Sequence, residues 1–162
     1  MTASDLGADV LGWLDAPLNF VARPDPVAPN DRPERRIALC LMVVDKSWGG
    51  RATWKAVHVL SWALKSHSRL EMVARLRDGT GPADRPVVRF DPALDRALDL
   101  AVGLGFLARS DAGVFSLTPV GQDALSEVRA AGLFVDEEEA LTSVKGKISN
   151  SSVERLLEWR TK

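Results

Sequence analysis

Apolar residues at helical spacing define the best-patterned stretch of the chain. Leu94, Ala97, Leu98, Ala101, Val102 and Leu104 follow Asp91-Pro92, and this order predicts an amphipathic helix over 91–105. Asp91 suits the N-cap and Pro92 the first helical position, where a missing N–H costs nothing. Gly103 and Gly105 close the pattern. Phe106-Leu107-Ala108 and Val114-Phe115-Ser116-Leu117 then flank Ser110-Asp111-Ala112-Gly113, a hairpin signal. Thr118-Pro119 opens a further helix that carries Val120, Leu125 and Val128 and stops at Gly132.

Upstream, Arg35 to Asp45 is apolar on nearly every face between Ile37 and Val44, which predicts a central buried helix rather than a strand. Trp48 to Thr53 reads as a turn, with Thr53 as cap of a helix running to Lys65. Ser68 to Arg77 places Leu70, Val73, Ala74 and Leu76 on one side of another helix, and Gly79-Thr80-Gly81-Pro82 is loop. Val87-Val88-Arg89-Phe90 is predicted to pair with the hairpin as a short strand. Downstream, Asp136 to Glu139 begins a short helix reaching Val144, since acidic residues suit a first turn. Ser151 and Glu154 fit a capping box for a last helix bearing Val153, Leu156, Leu157 and Trp159.

The first thirty residues differ in kind. Leu6, Val10, Leu11, Trp13 and Leu14, then Phe20-Val21, precede Pro24, Pro26, Pro29 and Pro33. This composition predicts a small amphipathic anchor followed by an extended arm. Trp13 and Phe20 favour docking of that anchor, onto the body or onto a partner, over a solvated tail.

Composition narrows the function classes. At 162 residues with 46% hydrophobic and 27% charged content, the chain can bury one sizeable core. Its single cysteine, Cys40, lies in an apolar run and reads as a buried thiol, and it cannot build a disulfide or a cysteine zinc site. No apolar run approaches a membrane span and no secretory leader is evident, so a cytoplasmic protein without membrane contact is expected. Charge is uneven: residues 31–78 hold ten Lys and Arg against five Asp and Glu, whereas the remainder is net acidic.

Candidate chemistry is sparse. Gly49-Gly50-Arg51-Ala52-Thr53 resembles the end of a phosphate loop but lacks its lysine and upstream glycine spacing. His58 and His67 match no two-histidine metal spacing on a helix face. Ser61 with Lys65 and Ser47 beside Lys46 lack an oxyanion loop or a third partner. No catalytic residue, cofactor or metal is therefore expected, and the chain reads as a non-enzyme.

Two surfaces stand out. Trp54, His58 and Trp62 line one edge of a helix whose other edge holds Ala56, Leu60, Ala63 and Leu64, so this helix needs two coverings. The second comes from this chain or from a partner protein, and the pattern leaves both open. On the 91–105 helix, Asp95, Arg96, Asp99 and Gly103 are expected to face outward. Aspartates there would be repelled by phosphates, and the hairpin offers only Arg109 beside Asp111, so specific DNA binding is expected to be weak or absent. The candidate protein interface is thus Trp54, His58, Trp62, Asp95, Arg96 and Asp99, with Trp13 and Phe20 from the anchor.

Gly105-Phe106-Leu107 and Leu117-Thr118-Pro119-Val120-Gly121, around the hairpin, resemble the "GFL…LTPxG" signature of the winged helix-turn-helix superfamily. The expected fold is mainly α with a small β-hairpin wing, a winged helix-turn-helix core with extra N- and C-terminal helices. The anchor and arm occupy 1–32, the winged-helix core 33–131 and a helical extension 132–162. The Gly-Gly-Arg turn, Val57 to Ser66 and Val88 to Leu94 further make residues 20–160 resemble a middle component of bacterial ABC three-component systems. That resemblance implies a small non-enzymatic adaptor bridging an ABC-type ATPase and an effector subunit in a conflict or defence system. It carries over no catalytic residue. A DNA-binding transcriptional regulator, dimeric through its terminal helices, is the alternative, so a homodimer is also expected as a possible state.

Overall fold

The computed structural model describes residues 32–78, 88–144 and 150–157 of the chain. Trp13, Phe20, the 1–31 anchor and arm, the 79–82 loop, Val87 and Trp159 lie outside the described residues. The described part is mainly helical with one small antiparallel sheet.

Helix α1 (Pro33–Lys46) is the centre. Cys40, Leu41, Met42, Val43 and Val44 are consecutive and all buried, so α1 has no solvent face along this run and neighbours must surround it. Among the described residues, it packs against helices and strands that follow it in sequence, including the acidic helix over 135–143. Ser47 closes α1: it is buried, its N–H donates to the Val43 and Val44 carbonyls, and its Oγ donates to Val43 O at 2.7 Å.

A single 3₁₀ turn, Trp48–Gly50, leads into strand β1 (Arg51–Thr53). Gly49 and Gly50 have φ values of 69° and 66°, the left-handed region that glycine enters without strain, so this glycine pair serves the turn. Thr53 then caps α2 (Trp54–Ala63) by accepting the Ala56 N–H at 3.3 Å. Helix α3 (His67–Arg77) follows, with Leu70 and Val73 buried.

Asp91 caps α4 (Pro92–Gly103) as the sequence predicts, accepting the Ala93 N–H at 3.0 Å. Leu94, Ala97, Leu98 and Ala101 form the buried stripe of α4. Leu104 departs from it: it is the C-cap, beyond the helical periodicity, and is 58% exposed. Strands β2 (Leu107–Arg109) and β3 (Val114–Leu117) form the predicted hairpin.

The sheet has one unforeseen member. Its order is β1-β3-β2, with Ala52 opposite Phe115 on one side of β3 and Arg109 opposite Phe115 on the other. Val88 to Phe90, expected to pair with the hairpin, is not in a strand. Arg51–Thr53 occupies that edge of β3 instead, and Phe90 packs on aromatic rings of α2.

Thr118 and Pro119 open α5 (Pro119–Ala130) as expected. Thr118 Oγ1 accepts the Gly121 N–H at 3.0 Å and donates to Gly105 O at 2.6 Å, tying the start of α5 to the end of α4. Leu125 is buried, whereas Val120 is 56% exposed and points away from the core. Helix α6 (Val135–Ser143) and helix α7 (Asn150–Leu157) complete the described chain. Leu141, Val144 and Val153 join the same core as α1 to α4. Ser151 lies within α7 rather than capping it, because the helix already includes Asn150. Among the described residues, no helix is long and apolar enough to cross a membrane.

Candidate functional site

The edge of α2 that bears Trp54, His58 and Trp62 meets the start of α4. His58 is only 2% exposed. Its Nδ1 accepts the Asp91 backbone N–H at 3.3 Å, so the ring hydrogen sits on Nε2, which donates to Asp95 Oδ1 at 2.8 Å. Trp54 Nε1 donates to the same Asp95 oxygen at 2.5 Å. Phe90 covers the rings, with centroids 4.7 Å from Trp54 and 5.2 Å from His58. Another segment of this chain therefore supplies the second covering for Trp54 and His58.

Asp95, expected to face outward, turns its carboxylate toward α2 while its side chain stays 40% exposed. One turn inside α4, it faces α2, where two N–H donors reach one carboxylate oxygen. The helix pattern places Asp95 on the polar side correctly, but a polar side can meet a buried polar partner as well as water. Arg96, Asp99 and Gly103 are exposed. Among the residues singled out in α4, Arg96 and Asp99 thus remain open to a partner.

Trp62 is half-buried and sits apart from the Trp54–His58 pair. The Arg69 guanidinium lies 4.8 Å from its ring centroid, a cation–π arrangement held by α3 against α2. Trp62 also stands at the rim of a cleft of about 350 Å³ between α1, α2, the start of α4 and α6. Arg35, Arg36, Lys65 and Arg89 bring positive charge to this cleft, and Leu39 and Leu94 give it an apolar wall.

Two carboxylates balance part of that charge. Arg36 Nη1 donates to Asp91 Oδ2 at 2.7 Å, Lys65 Nζ lies 3.8 Å from the same oxygen, and Arg35 pairs with Glu137. Burial pushes the Asp91 carboxyl up, but the Arg36 hydrogen bond, the Ala93 N–H and the charges of Arg36 and Lys65 outweigh it and hold it below the usual carboxylate range.

A second ionic group links α1, α5 and α6. Arg129 Nε and Nη2 reach Glu138 Oε1 at 2.8 and 2.7 Å, Nη2 also reaches Asp45 Oδ2 at 2.7 Å, and Lys46 Nζ lies 3.3 Å from Glu138. The acidic run 136–139 thus ties helices together as well as suiting its own helix terminus. Cys40 is fully buried, and burial pushes its thiol up to about 12, partly offset by Arg36, so it is not a thiolate nucleophile.

The face of α4 turned from the core carries a feature the sequence pattern did not mark. Leu100 is 48% exposed and stands one turn from Leu104, beside Arg96 and Asp99. Because Thr118 binds the end of α4, the exposed Val120 lies at the same end. The overlooked signal is that Leu100 falls outside the buried stripe Leu94, Ala97, Leu98, Ala101. No protein-family model matches this chain, and no curated protein or solved structure does either.

Proposed function

We propose that this chain is a non-enzymatic adaptor that works by protein–protein contact, on a winged helix-turn-helix core. The fold part of the proposal is supported by the run α4, β2, β3, α5, with β1 closing the hairpin into a three-stranded sheet. The single observation that carries the functional part is the outward face of α4. Where a DNA reader sets cations against phosphate, this helix sets Arg96 and Asp99, of opposite charge, beside exposed Leu100 and Leu104. Apolar residues ringed by balanced charge form the kind of patch that meets another protein. The resemblance to ABC three-component middle components implies the class of partner: an ABC-type ATPase and an effector subunit.

The test is co-expression with an ABC-type ATPase and an effector subunit from the same organism, followed by size-exclusion chromatography of the wild type and of Leu100→Asp with Leu104→Asp. The adaptor model expects co-elution of the wild type with one or both partners. Both leucines being exposed, the variant should keep its far-UV spectrum and melting midpoint while losing the complex by at least tenfold in affinity, as about 1.4 kcal/mol gives. A complex indifferent to both changes would move the interface off α4, and no complex at all would end the adaptor reading.

The alternative, a transcriptional regulator, is favoured by the same helix–hairpin–helix order and by the basic stretch over 31–78. It would require the α4 face or that stretch to meet DNA.

A further inference from the structure

The cleft beside Trp62 holds more positive charge than its own carboxylates neutralise. Asp91 and Glu137 face Arg35, Arg36, Lys65 and Arg89, which leaves two positive charges in excess. Arg36 and Arg35 are already paired with those acids. Lys65 reaches Asp91 only at 3.8 Å with most of its side chain exposed, and Arg89 has no ion pair among the described residues.

Two polar atoms of residues that line the cleft add a second, independent observation. Arg35 Nε and Ser61 Oγ are both buried and have no hydrogen-bond partner among the described residues. Buried polar groups nearly always have a partner, because leaving one unmet costs its hydration without return. Arg35 Nε can only donate and Ser61 Oγ can donate or accept, so one acceptor-rich group would satisfy both. Guanidinium groups supply forked donors that match the geometry of a phosphate.

The other lining is apolar. Leu39, Leu94 and the ring of Trp62 face the same space, whose volume of about 350 Å³ lies at the small end of ligand-binding pockets. We propose that this cleft binds a small organic phosphomonoester. Its phosphate, carrying about −1.5 to −2 charge at neutral pH, meets Arg35, Ser61, Lys65 and Arg89, and its organic part lies against Leu39, Leu94 and Trp62. This goes beyond the adaptor reading and does not depend on it: a ligand here would act on the packing of α1, α2, α4 and α6, whatever α4 contacts on its outer face.

The test uses the full chain and two probes, adenosine monophosphate and ribose 5-phosphate, by calorimetric titration and thermal shift. Adenosine, inorganic phosphate and succinate separate the contributions of ring, phosphate and carboxylate. At least one phosphomonoester should bind and raise the melting midpoint, with adenosine and succinate at least about tenfold weaker. Lys65→Ala with Arg89→Ala removes two exposed cations, so the double variant should melt like the wild type without ligand yet bind the phosphomonoester at least about tenfold less tightly. Arg109→Ala, a cation on β2 away from the cleft, should bind like the wild type. Failure of both phosphomonoesters would overturn the proposal. So would equal binding of succinate, undiminished binding by the double variant, or an equal loss in Arg109→Ala, which would signify general charge attraction.

Discussion

At the scale of single residues, Gly121 explains why the segment after the hairpin reads Leu-Thr-Pro-Val-Gly. Thr118 caps, Pro119 occupies the first turn, and Gly121 lets the helix press on backbone: a Cβ there would stand 2.0 Å from Phe106 O and 2.9 Å from its carbonyl carbon. Neither atom is a flexible side-chain tip, so α5 would have to lift away from the hairpin. Gly121→Ala should therefore cost about 2 kcal/mol or more, at the upper end of overpacking effects. Gly103 is the control, since a Cβ there meets nothing within 4 Å and the backbone is helical. Gly103→Ala should instead stabilise by roughly 0.5–1 kcal/mol through the unfolded state. Urea denaturation with unchanged m-values separates the two, and a Gly121→Ala protein as stable as the wild type would contradict the close approach.

At the scale of elements, two carboxylates act as ties between helices, and their protonation gives the pH dependence. Asp91 caps α4 while meeting Arg36 of α1 and Lys65 of α2. The Glu138 carboxyl is held below its ordinary range chiefly by the Arg129 hydrogen bond, with burial opposing and Lys46 assisting. A carboxyl that binds protons less readily folded than unfolded stabilises the fold fully above its unfolded pKa. That contribution drains as pH falls through the ordinary carboxylate region near about 4 and below. Melting midpoints should thus fall between about pH 5 and 3, and fall less steeply in Asp91→Asn with Glu138→Gln, where asparagine still caps α4. Parallel profiles for the two proteins would show that these ties do not govern acid stability. The same elements show what the sequence can disclose. Helices α1, α2, α4 and α5, their caps Thr53, Asp91 and Thr118, and the hairpin were legible because each rests on local spacing and local hydrogen bonds. Strand β1 was not, since three residues carry no period and their pairing with β3 depends on chain some sixty residues away. The bonding of Asp95 to α2 was hidden for a like reason: its partners Trp54 and His58 lie about forty residues earlier. The cleft, assembled from four separate segments, had no signature along the chain.

At the scale of the whole molecule, the uneven charge along the sequence is partly resolved by folding. The basic stretch 31–78 pairs across the chain with later acids: Arg35 with Glu137, Arg36 with Asp91 and Lys46 with Glu138. The excess that could have suggested a DNA-facing surface is thus partly neutralised inside the molecule, and the net charge of the chain is −1. On α4 and the hairpin the exposed charge is divided: Arg96 stands beside Asp99 on α4, and on the hairpin Arg109, whose guanidinium rests 5.6 Å from the Phe115 ring centroid, stands beside Asp111. A protein that neutralises Z phosphates shows a salt slope near −0.9Z, and six or more contacts are typical of strong duplex binding. Few such contacts can be assembled here on one face. Titration of a random duplex, followed by fluorescence anisotropy at low and physiological salt, should give binding no tighter than the micromolar range at physiological salt, with a shallow slope and no sequence preference. Leu100→Asp with Leu104→Asp should leave that weak binding essentially unchanged, because the leucines offer nothing to phosphate. Nanomolar, sequence-selective affinity would replace the adaptor with the regulator. Loss of that affinity in the leucine variant would then show that α4 enters the groove in spite of its charge-balanced, apolar face.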